Sequence, residues 1–298
     1  MIYREGMLFM KKKIISVIVG VAGLAAAYFV VSGISHIVYN RPVDNAATES
    51  TAETTEQGTE EAKAAMTEDE INEMLAGMKA TETAETATEE QSEVIPVKFE
   101  ELQAVNPDIY AWITVPGTVI DYPILQHASD NTYYLMHNID GSYGYPGCVY
   151  TENMNSKDFT DNNTVIYGHN MKNGSMFAQL HKFEDPDFFN ENREVLIYLP
   201  DEVLHYTIFA AHIYDDRHLL YSFDFTDPEV YQKYLDSIFS TRDMSANIDK
   251  DITVTTDDQI ITLVTCIGSQ PNNRLLVQAV LTDREPGAEA AQSAVATE

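Results

Sequence analysis

Cys266 and His169 are the residues of this sequence best placed for covalent chemistry. Ile260-Ile261-Thr262-Leu263-Val264-Thr265-Cys266 is an apolar, β-branched run that ends in a thiol. A turn-rich stretch, Ile267-Gly268-Ser269-Gln270-Pro271-Asn272-Asn273, follows it, and Arg274 then opens a second strand-like run over 274–281. A hairpin of this kind places Cys266 and Arg274 near one rim of a sheet. The thiolate is the reactive form of cysteine, and a nearby cation favours it. Arginine suits that task because it stays charged and can donate to a developing oxyanion. The thiol also needs a proton partner. Of the eight histidines, His169 directly follows the 164–167 run at Gly168, which puts an imidazole at a strand mouth. His205 and His212 fall inside a strand, and His36 lies at the end of the apolar N-terminal run. His127, His137, His181 and His218 sit in polar stretches with no supporting pattern. Cys148, in Gly147-Cys148-Val149-Tyr150, has no such neighbours and is expected to be a small buried residue.

The elements that must carry these residues are short. β-branched runs at 119–125, 147–150, 164–167, 194–199, 204–212, 252–254, 260–266 and 275–281 are separated by Gly, Asn and Asp. That pattern predicts an antiparallel sandwich or barrel. Ahead of it, Phe99, Leu102 and Val105 predict a short helix stopped by Asn106-Pro107, with a further turn at 108–112. Val230, Tyr234 and Ile238 recur at helical spacing and predict an insert over 227–239. Tyr133 and Tyr134 either border a substrate groove or pack inside the fold.

Composition divides the chain into five segments. Arg4 and Lys11-Lys12-Lys13 mark 1–13 as a cytoplasmic N-terminus, and 14–39 is apolar and long enough to span a bilayer as a retained signal-anchor. The alternative, a cleaved signal peptide, has an apolar region of only about 7–15 residues ending in small side chains. Here Ala25-Ala26-Ala27 sits in the middle of the run. Residues 40–93, rich in Thr, Ala and Glu, read as a disordered acidic stalk. Within the stalk, Thr67-Glu68-Asp69-Glu70 has capping-box spacing, and Ile71, Met74, Leu75 and Met78 share a helical face. This stretch is either a docking or lid helix or a transient helix in a linker, the linker being the simpler reading. A folded domain over 94–284 and a disordered tail over 285–298 complete the chain. With 18 Lys and Arg against 47 Asp and Glu, the net charge of -29 argues against nucleic-acid partners. Two cysteines are too few for a disulfide scaffold. No oxygen-cage spacing is present, so neither a metal nor another cofactor is expected.

Thr262-Leu263-Val264-Thr265-Cys266 resembles the TLxTC signature of sortases, and Tyr167-Gly168-His169-Asn170 resembles that family's histidine motif. Arg274 matches the arginine that opens the next strand. Asn106-Pro107-Asp108 with Trp112, Ile120-Asp121-Tyr122-Pro123, Asn131 with Tyr133-Tyr134-Leu135, and Met176-Phe177 add matches in order from about 94 to 283. The resemblance implies a mainly β fold: a closed antiparallel eight-stranded barrel with N-terminal helices and a helical insert before the cysteine strand. His169 and Cys266 are 97 positions apart (266 minus 169), and the 227–239 insert occupies that interval, which looks like class B members. By the same resemblance Cys266 is the nucleophile, His169 the acid/base and Arg274 the oxyanion-side cation, while Thr265, Asn170 and Tyr134 are candidates to touch substrate. The implied enzyme is a membrane-anchored cysteine transpeptidase with an extracellular catalytic domain. Its implied partners are secreted proteins bearing a C-terminal sorting motif and an amine acceptor, either a cell-wall peptide or a pilin. A catalytically silent surface scaffold or adhesin is the alternative, and three intact site residues speak against it. Two departures stand out: Val264 replaces the serine frequent in class B members, and the Cys266–Arg274 loop is short.

Overall fold

The computed structural model describes residues 68–78 and 95–287. The expected cytoplasmic N-terminus, the membrane span, most of the stalk and the tail beyond 287 lie outside the described residues. Among the described residues no helix is long and apolar enough to cross a membrane.

Strands form at β1 (Ile109–Thr114), β2 (Asp121–Leu125), β3 (Val149–Thr151), β4 (Asn163–Tyr167), β5 (Glu194–Tyr198), β6 (Glu202–Asp215), β7 (Asn247–Ile248), β8 (Ile260–Ile267) and β9 (Gln270–Pro286). Eight of them run in the order β5-β1-β2-β3-β4-β8-β9-β6, and β6 pairs back onto β5 to close a barrel. The two-residue β7 hangs on β6 outside the closure. The expected barrel is present, but it is mixed. β2–β3 and β4–β8 are parallel, and the remaining pairings are antiparallel. Parallel neighbours need a crossover of a dozen or more residues. The long stretches after β2 and β4 supply those crossovers, and runs of short strands in a sequence do not reveal them.

Two element assignments change. Asp108 is a turn residue as expected, but 109–112 belong to β1, whose side chains are buried on both faces, so no polar alternation marks it as a strand. The 252–254 run is irregular; its Ile252 and Val254 pack against the helical insert without a strand partner.

Alternation along the strands sorts side chains to two faces. Ile113, Ile124, Ile166, Ile197, Leu263 and Val277 fill the barrel interior with Phe177, Leu180 and Phe183. Outside, α5 (Pro228–Phe239), which follows the short α3 (Pro186–Glu191) and α4 (Leu219–Ser222), covers Val165, Val264, Leu276 and Val280. This helix begins as its sequence dictates. Asp227 accepts from the Glu229 backbone N–H, and Pro228 occupies the first turn, where a missing N–H costs nothing. It buries Tyr231, Tyr234, Leu235 and Ile238, a stripe turned slightly from the predicted one, which leaves Val230 half-buried.

A second outer cluster joins α2 (Phe99–Val105) to Trp112, Tyr134, Cys148 and Tyr150. It also receives α1 (Glu68–Met78), which buries Leu75 and places Met74 and Met78 against the same residues. The Lys98 N–H donates to the Met78 carbonyl at 3.3 Å. Burying one leucine contributes about 1.5–3 kcal/mol, and the contacts of Leu75, Met74 and Met78 are those the docking reading requires. At the other end β9 runs to Pro286, past the expected domain end, and the Gly287 N–H donates to the Asp201 carbonyl.

The segment between β2 and β3 folds back over the β4 end of the barrel and contains a short 3-10 turn, Tyr133–Leu135. Gly147 returns beneath it with φ near +71°. A β-carbon there would stand 2.5 Å from the Tyr134 carbonyl oxygen and 2.7 Å from that of Leu135. Gly147→Ala is therefore expected to destabilise the fold by about 1–3 kcal/mol. That loss lowers the melting temperature by roughly 2–4 °C per kcal/mol in a domain of this size, which calorimetry would measure.

Candidate active site

β8 lies between β4 and β9, and this order decides which side chains meet. On one side Cys266 pairs directly with Arg274, and Thr265 with Leu275. Directly opposed residues of an antiparallel pair share a face, with β-carbons about 4.5–5.5 Å apart. On the other side Tyr167 of β4 is in register with Val264. The Gly168 N–H donates to the Val264 carbonyl at 3.1 Å, and Thr265 Oγ1 donates to the Gly168 carbonyl at 2.9 Å. One residue beyond each of these contacts stand His169, two places past the end of β4, and Cys266, the penultimate residue of β8. Val264 and Leu276 belong to the outer cluster under α5, so period-two alternation also turns Cys266 and Arg274 outward. The three residues expected to do chemistry thus come from neighbouring segments, His169 just past β4, Cys266 on β8 and Arg274 on β9, with the cysteine in the middle.

Cys266 is exposed and Cys148 buried, and both are free thiols. Burial pushes the Cys148 thiol well above the ordinary range, helped slightly by Asp140, and its Sγ donates to the His137 carbonyl. That thiol is inert packing material, as expected.

His169 is held from two sides. Its Nε2 lies 2.9 Å from the Leu135 carbonyl oxygen, which can only accept, so the neutral ring carries its proton on Nε2. Nδ1 is then the basic nitrogen. The Tyr145 ring packs 5.0 Å away, centroid to centroid. Burial lowers the His169 pKa from its ordinary value, and the hydrogen bond to Leu135 partly opposes this by stabilising the charged ring. The glycine before it is required by close approach: a β-carbon on Gly168 would meet the Phe177 ring at 2.5 Å.

Arg274 Nη1 donates to the carbonyls of Pro271 and Asn273, both at 2.9 Å. Along β8 the partner changes from Arg274 at Cys266 to Gln270 at Ile267, so Pro271–Asn273 bulge out of the β8–β9 pairing. The arginine folds over its own bulge. Bulges of this kind re-aim side chains beside active sites.

The three residues expected at substrate are otherwise employed. Tyr134 is only 2% exposed; its hydroxyl donates to Asp108 Oδ2 and accepts from Asn106 Nδ2, so it packs inside the fold. Thr265 is equally buried and is occupied with Gly168. Asn170 Nδ2 donates to the Cys266 carbonyl at 2.9 Å. Sequence reasoning missed His181, whose Nε2 lies 3.1 Å from that same carbonyl oxygen. Its pairing with Glu184, three residues on in the 3-10 helix Phe177–Glu184, was the available signal. It also missed His218, which meets the buried Glu152 at 2.7 Å and lies close to Tyr167. Among the described residues no group of three or more His, Cys, Asp or Glu side chains could hold a metal ion.

Residues 113–282 match the family model described as the sortase domain. The chain is 32% identical over 215 residues to Sortase B of Listeria monocytogenes, covering 71% of this chain and 85% of that protein. It superposes on the X-ray structure of Clostridium perfringens sortase B with a TM-score of 0.57 at 33% identity, covering 62% of this chain and all of that one. A Streptococcus pyogenes class B sortase involved in pilus biogenesis gives a TM-score of 0.54 at 30% identity, covering 62% and 98%.

Two outcomes are expected from this geometry. A methanethiosulfonate reagent will label Cys266 in the native protein, while Cys148 will react only on unfolding; peptide mass mapping distinguishes the two. Labelled-histidine NMR will show the His169 ring titrating below about 6.5, the ordinary imidazole value. The sign follows from linkage. The unfolded chain binds that proton more readily, so His169 contributes stability that is complete above the unfolded value and is lost as pH falls below it.

Proposed function

We propose that this chain, which belongs to the sortase family and is therefore a cysteine transpeptidase, joins secreted proteins to a cell-surface amine through Cys266. The observation that carries this reading is the order of the three segments: Cys266 of β8 pairs with Arg274 of β9, and His169 follows β4 on the other side of β8. The Cys266 thiolate attacks a backbone carbonyl within the C-terminal sorting motif of a secreted protein. The new C–S bond gives a tetrahedral oxyanion, to which the Arg274 guanidinium donates. The C–N bond then breaks, and His169 in its imidazolium form gives the Nδ1 proton to the departing amine, leaving a neutral ring and a thioacyl-enzyme. An incoming amine attacks the thioester and loses its proton to His169, the C–S bond breaks, and Cys266 is returned. A ring whose pKa is lowered by burial gives up its proton readily, which suits the acid half of this cycle.

The acceptor is a cell-wall peptide amine. A pilin amine is the second reading, supported by the pilus-associated relative from Streptococcus pyogenes. The 14–39 run anchors the protein in the membrane with its N-terminal basic cluster in the cytoplasm, which puts the barrel outside the cell, where sorting substrates emerge. The part of the 40–93 stalk that precedes α1 gives the barrel reach from the bilayer. No cofactor enters this scheme.

The full-length protein in detergent, given a library of fluorogenic sorting-motif peptides and an amine acceptor, is expected to cleave one motif and form the amide. Cys266→Ala will abolish both. Arg274→Ala will lower kcat by about 10²–10³-fold, the usual cost of one oxyanion donor. Cleavage surviving in Cys266→Ala would remove the nucleophile assignment. Hydrolysis with no amide, across wall-peptide and pilin acceptors alike, would remove the transfer assignment.

A further inference from the structure

The carbonyl of Cys266 faces β4 at the point where the parallel ladder stops. The last backbone rung runs from the Gly168 N–H to the Val264 carbonyl. A further rung of the same kind would run from the Asn170 N–H to Cys266. The backbone has turned away by then: the His169 carbonyl accepts from the Phe177 N–H, and Asn170 bridges to Met176. The side chain of Asn170 makes the missing rung instead, with Nδ2 2.9 Å from the Cys266 carbonyl oxygen.

That amide is itself held. Asn170 Nδ2 lies 3.0 Å from His181 Nε2, and His181 Nδ1 lies 2.8 Å from Glu184 Oε2. The donors and acceptors assign themselves. A carboxylate only accepts, so the imidazole proton sits on Nδ1 and Nε2 of the neutral ring accepts. Asn170 then gives one amide hydrogen to His181 and the other to Cys266. The opposite amide orientation would set Oδ1 2.9 Å from the Cys266 oxygen, a closer acceptor pair than the 3.1 Å between His181 Nε2 and that oxygen, and would leave the carbonyl with no donor from either side chain of the neutral pair. If the ring gains a second proton, Nε2–H can donate directly to Cys266, 3.1 Å away. The carbonyl keeps a donor in either state.

On its other side the nucleophile's strand is also loosened, because the Pro271–Asn273 bulge interrupts the β8–β9 register directly after Cys266. The end of β8 is therefore held at this carbonyl by side chains. We propose that Asn170, His181 and Glu184 form a positioning relay that fixes the Cys266 peptide, and hence its Sγ, in the geometry of attack. His181 is a positioning residue acting through Asn170, and it does not touch substrate. This inference rests on the reading of Cys266 as nucleophile.

The test uses full-length protein and the peptide cleaved by the wild type, with kcat and KM determined separately. His181→Ala and Asn170→Ala are expected to lower kcat at least about tenfold with KM within about twofold, since small misplacements of reacting groups cost rate steeply. Iodoacetamide, which needs no aligned geometry, is expected to alkylate Cys266 at near wild-type rate in both. His181→Gln, whose amide oxygen can accept from Asn170 where Nε2 stands, should restore kcat to within about threefold of wild type. Wild-type kcat in His181→Ala would overturn the relay. So would equal loss in the Ala and Gln variants accompanied by a lost melting transition, because the residue would then serve the fold alone. Cys266→Ala separates the two levels. Turnover in that variant strikes the nucleophile reading, whereas its inactivity beside a fully active His181→Ala strikes only the relay.

Discussion

The register of β8 is the constraint from which the rest of the site follows. Side chains on a strand repeat every two residues, so sliding β8 by one position would send Cys266 into the barrel and bring Thr265 out. Two ladders of opposite sense resist that slip, the parallel pairing with β4 and the antiparallel pairing with β9. Each delivers one functional neighbour, His169 from the first and Arg274 from the second. Leu263 inside the barrel and Val264 beneath α5 make a slip costly on both faces, since each would exchange an apolar pocket for a different one.

The polar residues beneath the row pair with one another, Asn163 Nδ2 excepted, and this pairing favours one register. Thr262 donates to Asn163 Oδ1, and Gln278 Nε2 donates to the Tyr234 hydroxyl while its Oε1 meets His212 Nε2 at 3.0 Å. These groups are buried between barrel and helical insert, where an unpaired donor or acceptor would cost about 1–3 kcal/mol. Only the native alignment of β4, β8, β9 and α5 pairs them. Burial lowers the pKa of His212, so its ring is held neutral and fits a network of neutral partners. The insert is thus a clamp on the outer face as well as a cover.

Several of the motifs that mark the family turn out to support the site without entering it. Asn106 donates to the Ile139 carbonyl and to Tyr134, and Asp108 accepts from Tyr134, which pins the 3-10 turn whose Leu135 carbonyl holds His169. Asp121 accepts from Trp112 Nε1 and Thr114 Oγ1, fastening β1 to β2. The Tyr122 hydroxyl accepts from the Met176 N–H at the turn that leads to Phe177. Asn106, Asp108 and Tyr122 meet partners more than twenty positions away in sequence. That explains why they read as recognisable letters without revealing what they do.

What the sequence settled by itself was local. An apolar run ending in Cys266, a glycine before His169, an arginine opening the next run and an N-cap at Asp227 depend on neighbours a few residues away. Strands, the insert and the three residues of the row were legible from them. Long-range partnership was decided only by the tertiary structure. β1 was hidden because burial on both faces erased its alternation, and the parallel pairings were hidden because crossovers leave no turn signature. Tyr134 and Thr265 looked available and are buried, since burial depends on which distant chain covers a residue. Leu75 looked like part of a linker and is docked, because its pocket is built from residues more than twenty positions away. His181 looked unsupported for the same reason: the carbonyl it meets belongs to Cys266, and only the closed barrel brings the two together.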